Sequence, residues 1–366
     1  LIHSDKGKIM GIEQQTGVMI GTFEPLDLGH MRDILYACGQ VKHLHIFIMP
    51  HPNPNPNFSI NLKDKARWLT MALADLPFIQ VHLLPEGQCF ADIFNEISTF
   101  QQALTPLNLT KDEKKKKKNL LSEKPIVFVQ HDYALLEAEG FKDSLNTVRL
   151  QALPVQADFD SHSRALIAAN PAKYWHIIHP QARGDYTKTV AIVGGESSGK
   201  TTLVHKLVNY YGANYALEMG RIFVTTDLGG KELGMQYDDY PLMALDHANA
   251  IRHAKRLAPA PVTIVDTDFV TTQAFFEEYE GRTHPFLAAC IDEFHTDFTI
   301  LLDNNTPWVA DGMRTLGQAE QRSRFESRLN AIFAEHDIMP FVIDDPDYHQ
   351  RFLQAVAFID KHIFLH

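Results

Sequence analysis

The chain has 366 residues, more than one ordinary hydrophobic core accommodates, so we expect two domains. Hydrophobic residues make up 45% and charged residues 22%, a globular balance that excludes wholesale disorder. The net charge of −11 disfavours a surface coated with basic residues for binding nucleic acid. No apolar run approaches the ~18 residues of a membrane-spanning helix and no signal peptide opens the chain, so we expect a cytoplasmic protein without a membrane span.

Strand and helix patterns alternate in two series along the chain. In the first series, apolar runs predict strands at 17–21, 43–49 and 126–129, with helices from about residue 31 and over 63–73. In the second series, strands are predicted at 189–193, 213–218, 261–265, 297–302 and 339–343. Such alternation indicates parallel sheets covered by helices, in two α/β domains that meet near residues 180–188.

One segment of unusual charge interrupts the first series. Residues 111–124 contain five consecutive lysines, Lys114 to Lys118, with Asp112 and Glu113 beside them. Like charges at this density repel one another and stay hydrated, so we predict a solvated surface insertion rather than a nucleic-acid-binding tail. Whether this run has a partner is left open.

Residues 194–201 (GGESSGKT) match the phosphate-binding pattern G-x-x-x-x-G-K-[ST], directly after a predicted strand and before a helical stretch. Gly194 and Gly199 permit backbone angles that turn consecutive N–H groups towards an anion at a helix N-terminus. Lys200 is expected to reach the β- and γ-phosphates, and the Thr201 hydroxyl to ligate Mg²⁺. The predicted ATP site consists of Gly194, Gly195, Glu196, Ser197, Ser198, Gly199, Lys200, Thr201 and Thr202.

Carboxylates at two strand ends are candidates for the metal and the acceptor substrate. Asp266 ends a hydrophobic strand, the position of a carboxylate that holds Mg²⁺ together with Thr201. Asp268 faces the same side at strand period, where it contacts metal or substrate, or else caps the next helix. Glu218 is a candidate general base and Arg221 a candidate phosphate contact, with an exposed ion pair as the alternative.

Residues 310–317 (ADGMRTLG) predict a mobile basic segment near the phosphate site. Closing such a lid places Arg314 over the transferring phosphoryl group and excludes water. Arg322 and Arg324 follow downstream, and a solvated helix explains these two arginines better than it explains Arg314, which lies between glycines. We therefore take Arg314 as the candidate catalytic arginine.

The second series also resembles a known family. Residues 194–200 (GGESSGK), 235–241 (MQYDDYP), 265–275 (VDTDFVTTQAF) and 311–317 (DGMRTLG) resemble the ribosylnicotinamide kinase domain of NadR-type NAD-biosynthesis proteins, from about residue 171 onward. The resemblance implies ATP-dependent phosphorylation of the 5′-hydroxyl of nicotinamide riboside, with Glu218 and Asp268 as acceptor ligands. Where the family has Trp-Glu-Tyr, this chain has Leu217-Glu218-Met219, so we expect ring stacking from Tyr237 or Tyr240.

Residues 21–30 (GTFEPLDLGH) resemble the G-x-F-x-P-x-H-x-G-H signature of nucleotidyltransferases, the adenylyltransferase half of NadR-type proteins. Asp27 replaces the first histidine of that signature, and Ala168 replaces the arginine of a second family element, although Arg164 offers a substitute if the segment is helical. A carboxylate ~4 Å from a phosphate charge costs roughly 4 kcal/mol at an effective dielectric constant of 20. The implied, degenerate nucleotide site comprises Gly21, Thr22, Phe23, Asp27, Gly29, His30, Arg67 and Ser163.

Together these patterns predict a nucleotidyltransferase-like Rossmann domain over residues 1–185 and a P-loop kinase domain, with helices on both sheet faces, over residues 186–366. We expect a ribosylnicotinamide kinase that uses ATP and Mg²⁺, with a weak or inactive first domain kept for structure, assembly or sensing of nicotinamide mononucleotide or NAD. The alternatives are a bifunctional protein that also makes NAD and an ATP-binding regulator without kinase turnover. Because about sixteen residues precede the first strand, we expect no DNA-binding helix-turn-helix, and a homo-oligomer is left open.

Overall fold

The computed structural model describes residues 16–51, 53–58, 60–84, 124–129, 148–154, 161–231, 234–308, 316 and 318–365, without the side chains of residues 161 and 162. The lysine run at 114–118 lies outside the described residues. The chain divides into two compact units, Leu1–Ala182 and Arg183–His366. Their boundary falls within the interval 180–188, where we expected two domains to meet.

The first unit contains a parallel sheet of five strands. The strands are β1 (Thr16–Gly21), β2 (His43–Ile48), β3 (Ile79–Leu83), β4 (Ile126–Val129) and β5 (Arg149–Ala152). The described helices are α1 (Leu28–Cys38), α2 (Leu62–Ala72), α3 (Ser161–Ala169) and α4 (Pro180–Tyr186), the last of which spans the boundary between the units. The strand order β3-β2-β1-β4-β5 places β1 at the centre, so the order reverses beside its carboxyl end, where α/β sheets bind ligands.

Local signals set where the helices of the first unit begin. Helix α1 begins before the predicted position near residue 31, because Asp27 accepts a hydrogen bond from the backbone of His30 and the two side chains form a capping box. Helix α2 begins after Asn61, which caps it in the same way. Trp68 on α2 is buried in the core, so packing explains this residue.

The second unit contains another parallel sheet of five strands. The strands are β6 (Lys188–Gly194), β7 (Asn214–Ala216), β8 (Val262–Asp266), β9 (Phe298–Leu302) and β10 (Phe341–Ile343). The described helices are α5 (Lys200–Tyr211), α6 (Met219–Thr226), α7 (Asp239–Lys255), α8 (Phe269–Glu280), α9 (Pro285–Glu293), α10 (Ala319–Glu335) and α11 (Tyr348–Ile359), and a π-helical turn (Asp360–Phe364) follows. The order is β10-β9-β6-β8-β7.

Both faces of the second sheet are covered. Ala191 and Val193 of β6 belong to a core cluster with residues of α7, α8, α9 and α10. Val190 and Ile192, which alternate with them, belong to a cluster on the other face with residues of α5 and α11. The predicted two-domain α/β fold is therefore confirmed, and the carboxyl ends of β8, β6 and β9 lie side by side. Among the described helices, none combines the length and apolar character that crossing a bilayer requires.

Candidate active site

The loop between β6 and α5 has the backbone conformation of an anion site. Gly194 has φ 144° and Gly199 has φ 88°, in the region that favours glycine. A Cβ on Gly194 would lie 2.6 Å from the carbonyl oxygen of Leu302, so a side chain does not fit there. Among the described residues, no side chain caps the N-terminus of α5, so its first-turn N–H groups are available to an anion.

Lys200 and Thr201 begin α5 beside this loop. The Nζ atom of Lys200 donates to the carbonyl oxygen of Gly195 at 3.0 Å, which holds the ammonium against the loop. The Thr201 hydroxyl donates to Oδ2 of Asp266 at 2.8 Å. Because Asp266 ends β8 and β8 pairs with β6, adjacent strand ends bring this carboxylate to the loop.

Among the described residues, one carboxylate oxygen of Asp266 has no hydrogen-bond partner. The side chain is buried, and its Oδ1 makes no hydrogen bond within the described part of the chain. Burial, followed by the charge of Glu218, raises the pKa of Asp266 to about 6, while Lys200 and Thr201 oppose the rise. One hydroxyl and one carboxylate with an orphaned oxygen fit Mg²⁺, an ion that keeps most of its ligand positions for water and phosphate.

Glu218 precedes α6 and lines the same cavity as Lys200. Its carboxylate does not cap the helix, and its side chain is 22% exposed. Oε2 of Glu218 lies 3.5 Å from Nε of Arg221, so the two residues form the ion pair that we considered as the alternative. Because both side chains also line the cavity, the ion pair does not remove either of them from the candidate site.

A cavity of about 160 Å³ joins the loop to these side chains. Its polar lining consists of Glu196, Ser197, Gly199, Lys200, Thr201, Thr202, Glu218, Gly220, Arg221, Thr267, Thr271 and Thr272. Its apolar lining consists of Val224, Met235, Tyr240, Met243, Phe275 and Tyr279. Thr271, Phe275 and Tyr279 were not among the site residues predicted from the sequence, although their spacing of four residues places them on one face of α8 and would have identified them together.

Asp268 caps α8, which is the alternative to contact with metal or substrate that the sequence left open. Its Oδ1 accepts hydrogen bonds from the backbone N–H and the hydroxyl of Thr271 at 2.8 and 2.9 Å. Burial raises the pKa of Asp268 to about 6, although the bonds from Thr271 oppose the rise. The residue is absent from the cavity lining, so it reaches the cavity through Thr271 rather than directly.

Tyr237 also lies outside the cavity lining, so its contact with the substrate stays a prediction. Its ring stacks on His284 with 4.2 Å between centroids, and the Arg282 guanidinium lies 4.8 Å from the ring centroid. The ring is therefore already packed against two side chains. Tyr240, the second tyrosine proposed for ring stacking, does line the cavity.

Arg314 lies outside the described residues, so its role stays a prediction. Of the two arginines downstream, Arg324 forms an ion pair with Glu278. Arg322 differs from the solvated residue that we expected, because its Nη2 donates to the carbonyl oxygens of Asn304 and Thr306 at 2.6 and 3.0 Å. This arginine therefore fixes the backbone that follows β9.

The predicted nucleotide site of the first unit lies where β1 ends and α1 begins. Phe23 is buried with its ring centroid 5.1 Å from that of His30. Asp27 is 1% exposed; its Oδ1 accepts the backbone N–H of His30 at 2.6 Å and lies 2.9 Å from Nδ1 of the same residue. Burial acts to raise the pKa of Asp27, but the opposing effects of His30 and Arg164 are together larger, so the pKa lies below its ordinary value and the carboxylate is held in its charged form.

Carboxylates also engage the arginine that was proposed as a substitute anion ligand. Arg164 lies on α3, so the helical geometry that we required is present. Its Nη2 lies 3.0 Å from Oδ2 of Asp33, and its Nε lies 3.8 Å from Oδ2 of Asp27. The guanidinium is therefore already neutralised by protein groups.

Two further residues of the predicted nucleotide site, Arg67 and Ser163, lie on helices and not in the loop between β1 and α1. Arg67 is exposed on α2, and Ser163 is partly buried on α3. Lys65, which was not predicted from the sequence, is buried and forms an ion pair with Glu24 of the loop after β1. No sequence motif predicts this ion pair, because Glu24 lies in a loop and Lys65 lies on a separate helix.

Comparisons with known proteins agree with this architecture. A family model described as an AAA domain matches residues 189–351. A crystallised NadR protein in complex with NR superposes with a TM-score of 0.75 at 21% identity, over 96% of this chain and 97% of that one. A NadR protein in complex with NAD and AMP-PNP gives a TM-score of 0.71 at 20% identity, over the same shares. At these identities the two structures support the fold alone.

Two relatives are more similar in sequence. The Escherichia coli trifunctional NAD biosynthesis/regulator protein NadR is 38% identical over 356 residues, which cover 94% of this chain and 82% of the relative. The Salmonella typhimurium protein of the same name is 36% identical over 362 residues, 95% of this chain and 83% of the relative. With this identity sustained through both units, the chain belongs to the NadR family.

Proposed function

We propose that the second unit is an ATP-dependent ribosylnicotinamide kinase, which converts nicotinamide riboside to nicotinamide mononucleotide in NAD biosynthesis. The observation that carries the proposal is the cavity that joins the phosphate-binding loop to Glu218 and to an aromatic wall. The names of the two bacterial relatives support a role in NAD biosynthesis. The NadR structures with NR and with NAD and AMP-PNP support a nucleoside acceptor and a triphosphate donor.

In the proposed reaction the loop holds the donor. The N–H groups of the loop and of the first turn of α5 bind phosphate oxygens. Lys200 exchanges the Gly195 carbonyl for the β- and γ-phosphates. Thr201 and Asp266 would hold Mg²⁺, which when bound would supply positive charge against the phosphate oxygens. The protein's contribution to phosphoryl transfer is mainly position and charge.

Glu218 is the proposed general base. Its carboxylate lines the cavity together with Lys200, and it accepts the proton of the ribose 5′-hydroxyl as that oxygen attacks the γ-phosphorus. Arg221 is the proposed contact for the transferring phosphoryl group. Asp268 acts in this scheme as a cap that fixes Thr271 at the cavity wall.

The aromatic wall is the proposed site of the pyridinium ring. Tyr240, Phe275 and Tyr279 line this part of the cavity, and aromatic faces attract a cation. Met235 and Met243 complete the wall with polarisable sulfur atoms. In this proposal these residues take the place of the aromatic pair that the family has beside the glutamate, where this chain has Leu217 and Met219.

For the first unit we propose weak or absent adenylyltransferase activity. The charged carboxylate of Asp27 lies where the related signature has a phosphate-contacting histidine. Arg164 is engaged by Asp27 and Asp33, so two acids face one guanidinium. A nucleoside triphosphate would meet repulsion at this position instead of a basic clamp.

Two assays test the proposals. Release of ADP from ATP and Mg²⁺ is expected to depend on nicotinamide riboside in the wild type and to be lost in Lys200→Ala. Release that ignores the riboside would support an ATP-binding regulator instead. Nicotinamide mononucleotide supplied with ATP and Mg²⁺ is expected to yield little NAD, and NAD formation at an ordinary enzyme turnover would favour the bifunctional alternative.

A further inference from the structure

The phosphate-binding loop has carbonyl groups that need donors from outside the loop. A loop whose N–H groups turn towards an anion directs its carbonyl oxygens away from it. Buried carbonyl oxygens require hydrogen-bond donors, and an irregular loop has no ladder to provide them. The donors for two of these carbonyls come from side chains far away in the sequence.

The first donor is Thr306, which follows β9. Its side chain is 2% exposed, and its hydroxyl donates to the carbonyl oxygen of Ser197 at 2.9 Å. Ser197 has φ 62°, a left-handed conformation that a residue with a Cβ adopts only when its surroundings impose it. Arg322 fixes Thr306 in turn, through the carbonyl oxygen of Thr306 at 3.0 Å.

The second donor is Arg351 on α11, which is 1% exposed. Its Nη1 donates to the carbonyl oxygen of Ser198 at 2.7 Å. Its other nitrogens donate to the carbonyl oxygens of Asp345 at 2.5 Å and Asp303 at 3.0 Å, and to Oδ1 of Asn305. One guanidinium therefore joins the segments that follow the adjacent strands β6, β9 and β10.

The charge of Arg351 also bears on the donor site. Within the described residues, its four hydrogen-bond acceptors are neutral oxygens, so its positive charge is not cancelled by a bonded carboxylate. The carboxylates of Asp303, Asp344 and Asp345 are near enough to act on it, but none of them forms a salt bridge with it in the described structure. A buried guanidinium one carbonyl away from the loop adds positive potential where triphosphate charge would bind.

We propose that Thr306 and Arg351 are positioning residues for the donor triphosphate. They act through the carbonyl groups of Ser197 and Ser198, and they hold the loop in its anion-binding conformation before the nucleotide arrives. Neither residue lines the cavity. The inference rests on the proposed donor site and adds the residues that shape it.

The test measures nucleotide binding without turnover. Calorimetric titration with AMP-PNP and Mg²⁺, in the absence of an acceptor, gives the Kd for the donor. Thr306→Val removes one hydrogen bond at constant volume and is expected to raise this Kd by about fivefold to tenfold. Thr306→Ser keeps the hydroxyl and is expected to restore wild-type affinity. Arg351→Met is expected to weaken binding more than Thr306→Val, and Arg351→Lys by an intermediate factor.

A matched control separates positioning from general loss of stability. The Thr296 hydroxyl donates to the carbonyl oxygen of Phe298 at 3.1 Å, at the opposite end of β9. Thr296→Val is expected to leave the Kd for AMP-PNP unchanged, even where its Tm falls as far as that of Thr306→Val. In steady-state assays, Thr306→Val is expected to raise KM for ATP and to leave KM for nicotinamide riboside unchanged.

The outcomes distinguish this inference from the proposed function. A wild-type protein that does not bind AMP-PNP would overturn the donor site itself. A wild type that binds, with a folded Thr306→Val variant that binds equally well, would overturn only the positioning role. Equal increases in the KM values of ATP and riboside would overturn it too. If Arg351→Met fails to fold, the Thr306→Val and Thr306→Ser pair still decides the question.

Discussion

Removing the charge of Asp27 is predicted to make the first unit accept phosphate. Asp27→Asn retains an oxygen that caps α1 through the His30 N–H, so the helix is preserved. Unit charges ~4 Å apart interact by roughly 4 kcal/mol at an effective dielectric constant of 20. The substitution removes that repulsion and also removes the charge of one of the two carboxylates that engage Arg164, whose Nε lies 3.8 Å from the Asp27 carboxylate while its Nη2 stays paired with Asp33.

Counter-ions and bound water reduce this Coulomb energy, so we expect a gain of about tenfold to a hundredfold in ATP affinity at the first unit. Titration in a Lys200→Ala background measures it, because that substitution weakens the second unit's donor site. Asp75→Asn removes an exposed charge from the same unit and serves as the control. If Asp27→Asn keeps the wild-type Tm and binds ATP no better than Asp75→Asn, electrostatic exclusion at Asp27 is refuted.

Three further predictions concern the second unit. Glu218→Gln is expected to lower kcat for riboside phosphorylation by about 10²–10⁴-fold, whereas Asp268→Asn keeps the cap oxygen and is expected to retain most activity; a reversed ranking would assign the base to Asp268. Thr201→Val removes the hydroxyl beside Asp266 and is expected to raise the Mg²⁺ concentration for half-maximal activity by about tenfold, and an unchanged Mg²⁺ titration would contradict that ligand assignment. Burial lowers the pKa of His247 from 6.5 to about 4. As the pH falls, His247 is therefore protonated in the unfolded chain before it is protonated in the folded protein. The wild type is expected to lose roughly 2 kcal/mol of unfolding free energy through this residue between pH 7 and pH 5, and His247→Leu is expected not to show this loss. Urea unfolding of both proteins at the two pH values measures this, and parallel losses would refute it.

The two units illustrate how the family pattern changes in this chain. In the second unit the loop, its lysine and the carboxylate at the end of β8 meet as the motif predicts. In the first unit, an acid in place of a histidine has become part of a capping box and an ion pair with Arg164. The altered position therefore contributes to the folded structure, and we propose that it also opposes an anionic ligand.

The amino-acid sequence alone determined the features that depend on residues close together in the chain, such as strands, helices, turns and caps. The strand and helix periods predicted all five strands of the second sheet, but only β1, β2 and β4 of the first sheet, whose edge strands β3 and β5 were not predicted. The glycines of the loop predicted an anion site, because backbone angles are local properties. The cap formed by Asp268 was also a local alternative, since its partner Thr271 is three residues away. The chemistry predicted for the second unit came from the family resemblance and stays a prediction.

Only the tertiary structure decided which distant side chains meet. Arg351 and Ser198 are 153 residues apart, so no local pattern pairs them. The motif did predict that Thr201 and Asp266 act together, although they are 65 residues apart, and the pairing of β6 with β8 brings the two side chains within 2.8 Å. Arg164 and Asp33 are also too far apart in the sequence, at 131 residues, to be paired by a local pattern. From the sequence, the guanidinium of Arg164 could have bound either a phosphate or a carboxylate. Chain folding settles such choices, because hydrogen bonds and ion pairs depend on distances of a few ångströms that strand order sets.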